Sequence, residues 1–279
     1  MEVFLAKQAG FCEGVERAYR IALEQTRSGQ QVFMLGNLVH NRQVIEKFKN
    51  ADVITVKSVS EIPQATKGIL LISAHGVPPE IYQEAKAKGL GVVDTTCPWV
   101  KKAQKIAQEF AKEGRTVVIV GDQGHTEVKG LLGWSNGKGK VIENAEDIKN
   151  ITGNKIGVLA QTTQSKAHFQ QIVSALKQKF ENVKAQDTIC SATSKRQEAA
   201  VDLARQVNLM LVIGDTMSAN TKRLTELCSQ TGTETHQIQT VSELEKSWLA
   251  GKAKVGLTSG ASTPNWVIQK VINSLKNQA

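Results

Sequence analysis

Two short stretches repeat one pattern, Asp-Thr-x-Cys, at Asp94–Cys97 and again at Asp187–Cys190, 93 residues later. A third cysteine, Cys12, lies 85 residues before Cys97, and the chain has four cysteines in all. Cys12, Cys97 and Cys190 each precede a segment with helical apolar spacing. After Cys12 the residues Val15, Ala18, Tyr19 and Ala22 share a face, and after Cys97 so do Val100, Ala103, Ile106, Ala107 and Phe110. Pro98 suits a first helical position. A thiol at a helix N-terminus is favoured as thiolate, because the helix dipole lowers its pKa. Three such soft ligands suit zinc or an iron–sulfur cluster. Neither a Cys-x-x-Cys pair nor a ferredoxin spacing is present, so no local signature chooses between them. Three protein ligands leave one position open. On zinc that is the vacant site of a hydrolytic enzyme, and on a four-iron cluster it is one exposed iron. Cys228 stands apart inside the helical pattern TKRLTELCSQTG and is expected as a core or partly exposed thiol.

A second set of reactive residues lies in polar loops just past apolar strands. His40 follows LGNLV, His75 lies in SAHG, and His125 and Glu127 lie in GHTE. Thr162 and Thr163 lie in AQTTQ, Ser218 and Asn220 in TMSAN, and Ser262 in GASTP. Histidine, serine, threonine and asparagine beside helix N-termini make a phosphate cradle, here without the lysine of a P-loop. For Thr163 and Ser262 taken singly, helix capping is the expected role. His168 and His236 fall outside this frame and are expected at the surface or satisfied. The His-x-Glu at 125–127 resembles half of a zinc-deaminase signature, but the Pro-Cys-x-x-Cys half is missing. Its glutamate retains one option: a carboxyl whose pKa is raised by burial acts as a general acid.

The elements that must carry these residues repeat three times. VFMLGNLVHNRQVIEKF, VVIVGDQGHTEVKGLL and LMLVIGDTMSANTKRLTEL form one set, and ILLISAHGVPPEIYQEA, IGVLAQTTQSKAHFQQIV and VGLTSGASTPNWVIQKV a second. Between them run VKSVSEIPQ, VIENAEDIK and IQTVSELEK, whose aligned Glu61, Asp147 and Glu243 are spaced by 86 and 96 residues. Each third therefore reads strand–loop–helix, short strand, strand–loop–helix, which implies βαβ units, parallel sheets and an α/β fold. Ligands bind such sheets at the carboxyl ends of the strands. The expected division is a lobe at 14–96, a second at 97–189 and a third at 190–279. The third lacks its own terminal cysteine, so residues 1–13 are expected to close the ring and bring Cys12 to that place.

Composition limits the alternatives. The 279 residues are 41% apolar and 22% charged, with net charge +9. No apolar run reaches the roughly 18 residues of a membrane span. The start, MEVFLAKQAGFCEG, reads as a strand without an export signal, so a cytoplasmic location with reduced thiols is expected. The lysines and arginines are scattered over helical segments, without a dense tract or interleaved aromatics. The surplus charge suits a small polyanion. A non-catalytic anion or nucleic-acid binder rests on that charge alone.

GFCEGVERA, LVHNRQVI, SAHGVPPE, DTTCPWV, GHTEVKG, AQTTQS, TICSATSKRQEA, SANTKRL and GASTPNWVIQ, spanning Gly10 to Gln269, together resemble the LytB family of 4-hydroxy-3-methylbut-2-enyl diphosphate reductases. These are the last enzymes of the methylerythritol phosphate route to isoprenoids. The resemblance implies three pseudo-symmetric lobes in a trefoil around one 4Fe–4S cluster, held by Cys12, Cys97 and Cys190 with one iron open. It implies that His40, His75, Ser218, Asn220 and Ser262 hold the substrate's diphosphate, with His125 lining the same pocket. Glu127 is implied as proton donor, with Thr162 positioning the substrate hydroxyl and relaying the proton. Ala219 departs from relatives that carry a hydroxyl there, and is left at most a backbone contact. The implied reaction is a two-electron reductive dehydroxylation to isopentenyl and dimethylallyl diphosphate, with ferredoxin or flavodoxin as electron donor. The diphosphate itself is the implied proton source for carbon. A three-thiolate zinc enzyme acting on a phosphorylated metabolite uses the same residues and is the alternative.

Overall fold

The computed structural model of the protein describes residues 1–277. In chain order the elements are β1 (Glu2–Leu5), α1 (Glu13–Gln25), β2 (Val32–Leu35), α2 (Arg42–Lys49), β3 (Ile54–Val56), β4 (Ile69–Ile72), α3 (Glu80–Ala87), β5 (Gly91–Asp94), α4 (Pro98–Lys112), β6 (Thr116–Val120) and α5 (Thr126–Trp134). There follow β7 (Lys140–Ile142), β8 (Lys155–Ala160), α6 (Lys166–Lys179), β9 (Asn182–Gln186), α7 (Ser191–Ala204), β10 (Leu209–Ile213), α8 (Ala219–Ser229), β11 (Glu234–Ile238), α9 (Lys246–Leu249), β12 (Lys254–Ser259) and α10 (Asn265–Lys276).

The strands pair in parallel as three four-stranded sheets with one topology: β5-β4-β2-β3, β9-β8-β6-β7 and β1-β12-β10-β11. The chain divides into two compact units. One comprises Met1–Val15, His40–Val44 and the described residues from Ser191 onward, and contains the sheet of β1, β12, β10 and β11. The other comprises Glu16–Val39 and Ile45–Cys190, and contains the other two sheets.

The two central strands of each sheet, β2 and β4, β6 and β8, β10 and β12, are covered on both faces, which explains their nearly unbroken apolar runs. Alternation along β6 sends Val118 and Val120 to a core with Phe169, Ile172 and Leu176 of α6. Val117 and Ile119 face the other way, onto Ala103, Ala107 and Phe110 of α4 and Val128 and Leu131 of α5. The third sheet repeats the arrangement. Leu209, Leu211 and Ile213 pack with Val267, Ile268 and Val271 of α10, while Met210 and Val212 pack with Ala200, Ala204, Leu224 and Cys228. Cys228 is thus a core thiol, and burial pushes it up to about 12.

The repeat holds at the level of single hydrogen bonds. The aligned carboxylates Glu61, Asp147 and Glu243 each accept the N–H four residues earlier, from Lys57, Glu143 and Gln239, at 2.9 Å in all three cases. The short strands β3, β7 and β11 are each followed by a 3-10 turn whose third residue is this carboxylate. His236 stacks on Trp248 at 3.9 Å between centroids, and the His168 ring meets the Glu143 carbonyl at 2.8 Å. Both are satisfied, as expected.

Candidate functional site

Cys97 and Cys190 are delivered by one device. In the first sheet, Thr95 Oγ1 donates to the Ile72 carbonyl at 2.5 Å, and Asp94 Oδ1 accepts from Thr96 N–H at 2.9 Å. In the second, Thr188 Oγ1 donates to the Ala160 carbonyl at 2.5 Å, and Asp187 Oδ1 accepts from Ile189 N–H at 2.9 Å. The threonine thus locks the outgoing chain to the neighbouring strand, and the aspartate turns it by capping its own backbone. The cysteine amide then docks on a loop carbonyl: Cys97 on Ala74 at 3.0 Å, and Cys190 on Thr162 at 3.1 Å.

The third sheet keeps only the amide docking, with a strand from elsewhere in the chain and no Asp-Thr before the cysteine. β1 pairs with β12, from Glu2↔Lys254 to Leu5↔Leu257, and Cys12 N–H meets the Ala261 carbonyl at 3.2 Å. The N-terminal strand thus supplies the edge of the third sheet and leads the chain to Cys12. Gly10, two residues earlier, donates to Ser259 Oγ at 2.7 Å. Its φ is +95° and an added Cβ would strike the Asn265 carboxamide, so the position requires glycine. All three thiols are half-buried, and each stands at the start of a helix: Cys12 before α1, Cys97 at the N-cap of α4 with Pro98 next, and Cys190 before α7. This donor set, soft and repeated, fits an iron–sulfur cluster. Among the described residues no group of three or more His, Cys, Asp or Glu side chains that could hold a metal ion is gathered.

The unit holding Cys97 and Cys190 also holds an acid. Glu127 is 2% exposed on the first turn of α5. Its Oε1 accepts the Thr162 N–H at 2.6 Å, and its Oε2 lies 2.8 Å from Thr162 Oγ1. Burial pushes this carboxyl up to about 7, against the two hydrogen bonds from Thr162 and with help from the Asp122 charge. It therefore carries a proton over the pH range in which a general acid is useful. The Thr162 carbonyl is the one that holds the Cys190 amide, so a single residue ties the acid to a cysteine. Ala74 and Ala261 occupy the matching positions in the other two repeats, and this hydroxyl is absent from both. His125 is the N-cap of α5 and accepts from Glu127 N–H at 3.2 Å through Nδ1. His75 meets the His125 ring edge-to-face, with centroids 5.6 Å apart.

The other unit gathers His40, Ser218, Asn220 and Ser262. Ser262 Oγ donates to the His40 carbonyl at 3.0 Å and lies 3.5 Å from Ser218 Oγ. Ser218 caps α8 by accepting from Thr221 N–H at 3.3 Å. Asn220 is 4% exposed, and neither its Oδ1 nor its Nδ2 has a partner among the described residues. A buried carboxamide with both ends unused is a place prepared for a ligand, since burying it unpaired is unfavourable by roughly 1–3 kcal/mol. Burial lowers the His40 pKa, opposed by the Asp215 charge, so the imidazole is neutral near pH 7.

Two expectations need correction. Thr163 does not cap α6, because Ser165 occupies the N-cap and accepts from His168 N–H. Thr163 Oγ1 instead accepts from Gln161 Nε2 at 2.9 Å. Ser262 does not cap α10, whose N-cap is Pro264. In both loops the helix begins two residues later than capping required.

Three further residues shape the site. Asp215, 2% exposed, accepts the N–H of Arg42 and of Met217, both at 2.9 Å, and so pins the His40 loop to the Ser218 loop. Asp122 accepts from Gln161 Nε2 at 3.3 Å and from Gln164 Nε2 at 3.4 Å, bracing the Thr162 loop. Both aspartates follow a strand-ending glycine, Gly121 and Gly214, and that repeated Gly-Asp pair was the available signal. Arg196 is buried and donates to the carbonyls of Ser259 and Gly10, at 2.9 and 2.8 Å. It holds the Cys12 loop, and nothing local in the sequence marks it.

A model of the LytB protein family matches residues 3–276. The chain belongs to the LytB family. Among curated LytB relatives, the 4-hydroxy-3-methylbut-2-enyl diphosphate reductase of Geobacter metallireducens is 43% identical over 277 residues, covering 99% of this chain and 97% of its own. The enzyme of the same name from Citrifermentans bemidjiense is 42% identical over 276 residues, with the same coverage. Among solved structures, the E-1-hydroxy-2-methyl-but-2-enyl-4-diphosphate reductase from Plasmodium falciparum matches with a TM-score of 0.94 at 31% identity, covering 99% of this chain and 88% of that one. The structure of (E)-4-hydroxy-3-methyl-but-2-enyl diphosphate reductase, the terminal enzyme of the non-mevalonate pathway, matches at 37% identity with a TM-score of 0.71, covering 99% of this chain and 100% of that one. These LytB likenesses run the length of the chain. Among the described residues no helix is long and apolar enough to cross a membrane.

Proposed function

We propose that this chain reduces 4-hydroxy-3-methylbut-2-enyl diphosphate to isopentenyl and dimethylallyl diphosphate, using Cys12, Cys97 and Cys190 to hold a 4Fe–4S cluster. The observation that carries this reading is the Glu127–Thr162 pair, a protonated acid built on the peptide that also anchors Cys190. The cluster, when bound, supplies electrons singly and one Lewis-acidic iron with an open position. The net change is replacement of C–OH by C–H: two electrons and two protons enter and one water leaves.

The residues divide the remaining work. Ser218, Asn220, Ser262 and a neutral His40 offer hydrogen bonds to the diphosphate, with the N-terminus of α8 supplying its dipole. His75 and His125 serve the same ligand. Thr162 orients the substrate hydroxyl and passes it the Glu127 proton as the carbon–oxygen bond breaks. The diphosphate supplies the second proton to carbon. Ferredoxin or flavodoxin brings the electrons, and a cytoplasmic setting keeps the thiols reduced. The proposed lobes are 14–96, 97–189 and 190–279 with 1–13.

The test is direct. Protein purified without air and given a reduced viologen converts the allylic diphosphate to both isomers. A colourless protein with stoichiometric zinc and no such turnover would sink the reading.

Asn220→Ala then separates binding from chemistry. It removes a buried amide that meets a charged ligand, a contact worth about 1.5–3 kcal/mol. KM for the diphosphate rises by about tenfold or more, while the iron content stays at the wild-type value. An unchanged KM removes Asn220 from the cradle.

A further inference from the structure

The reductase reading requires a route for electrons, and the three helices that begin at the cysteines differ sharply in what they present. α1 opens with Glu13 and Glu16 and carries three glutamates against two arginines. α7 carries two acids and two bases. α4, starting at Cys97, carries four lysines against one glutamate and has no acid in its first turn. Trp99, two residues from Cys97, is 39% exposed, and the Lys102 ammonium lies 5.4 Å from the centre of its ring. Lys101 bonds Asp94 at 2.8 Å, and Lys105 lies 3.9 Å from Glu109 with three-quarters of its side chain in water. A groove beside this face is lined by Tyr82, Lys101, Gln104, Lys105 and Trp134. The other strongly exposed tryptophan near a cysteine, Trp266, already packs edge-to-face on Phe11.

An exposed tryptophan with one lysine against its ring and two more, Lys101 and Lys105, along the same helix, on a protein of net charge +9, has the composition of a binding hot spot with a steering rim. Electron transfer weakens steeply with distance, so a donor must settle close to a thiolate ligand. Redox encounters also use small interfaces, below about 1,200 Å², which one helix face and its groove can supply.

We propose that the exposed start of α4, Trp99 with Lys102 and Lys105, is the landing surface for an acidic one-electron carrier protein. This rests on the reductase reading. Each encounter oxidises the carrier by one electron and reduces the group held at Cys97 by one, and two encounters match the two electrons and two protons of one turnover.

The experiment uses the anaerobic holoenzyme and an acidic 2Fe–2S ferredoxin as probe. In the double variant Lys102→Glu/Lys105→Glu, and separately in Trp99→Ala, the Kd for oxidised ferredoxin rises about tenfold. Ferredoxin-driven turnover falls by a similar factor, and turnover driven by methyl viologen is unchanged. Added salt weakens wild-type ferredoxin binding and barely affects the double variant. Lys177→Glu, on exposed α6, changes none of these. An unchanged ferredoxin Kd in the double variant overturns the proposal. So does a viologen rate that falls in step with the ferredoxin rate, or a dimer that the same substitutions dissolve. Absence of viologen-driven turnover in wild type counts against the reductase reading instead, and the ferredoxin titration still decides the surface.

Discussion

Glu127→Gln lowers turnover by about two to four orders of magnitude, the usual contribution of a general acid, while iron content and KM stay near wild type. Glutamine preserves the shape of the carboxyl; its one oxygen accepts the Thr162 N–H and its NH2 donates to Thr162 Oγ1, but it has no acidic proton to give. In the wild type, burial holds this carboxyl at about 7 instead of 4.5. Turnover that depends on the protonated acid therefore declines as pH rises through about 7, and the residual activity of the variant lacks that step. Stability carries the same signature. The folded protein holds the proton more tightly than the unfolded chain, so stability falls as pH rises from about 4.5 to about 7. In Glu127→Gln this slope disappears. Near-wild-type turnover in the variant would refute the proton-donor role.

Cys97→Ala abolishes turnover and the brown colour of the anaerobic protein, and iron and sulfide fall well below wild type. The polypeptide remains folded, because the contact that fixes this position is the backbone N–H on Ala74, which alanine retains. Cys228→Ala gives the converse result. It loses stability through a cavity in the core around Met210 and Leu224, by roughly 1 kcal/mol, and keeps its iron. Equal iron in Cys97→Ala and wild type, measured with both folded by circular dichroism, removes Cys97 from the ligand set.

Much of this was legible because a threefold repeat leaves three copies of each signal. Asp-Thr-x-Cys read as a strand turning into a helix, and its two copies use the same two hydrogen bonds. The aligned Glu61, Asp147 and Glu243 fell into one role for the same reason. What stayed hidden was whatever broke the repeat or joined residues far apart in sequence. Asp215 meets Arg42 across 173 residues and Arg196 meets Gly10 across 186, distances at which one sequence carries no pairing signal. The capping assignments failed for a local reason: several hydroxyls crowd each loop, and backbone geometry alone decides which sits at the N-cap. The double use of Thr162 depends on its hydroxyl, amide and carbonyl pointing to separate partners, and residue type does not encode that.

The pairing of β1 with β12 sets the order of events during synthesis. Gly10 finds Ser259 across 249 residues, and Cys12 rests on Ala261. A growing chain on the ribosome can build the seats of Cys97 and Cys190 from nearby sequence, but the seat of Cys12 does not exist until β12 has emerged. On the proposed cluster assignment, all three thiols are seated only once β12 has paired with β1. A chain stalled short of β12 has the carbonyl seats of Cys97 and Cys190 but not that of Cys12.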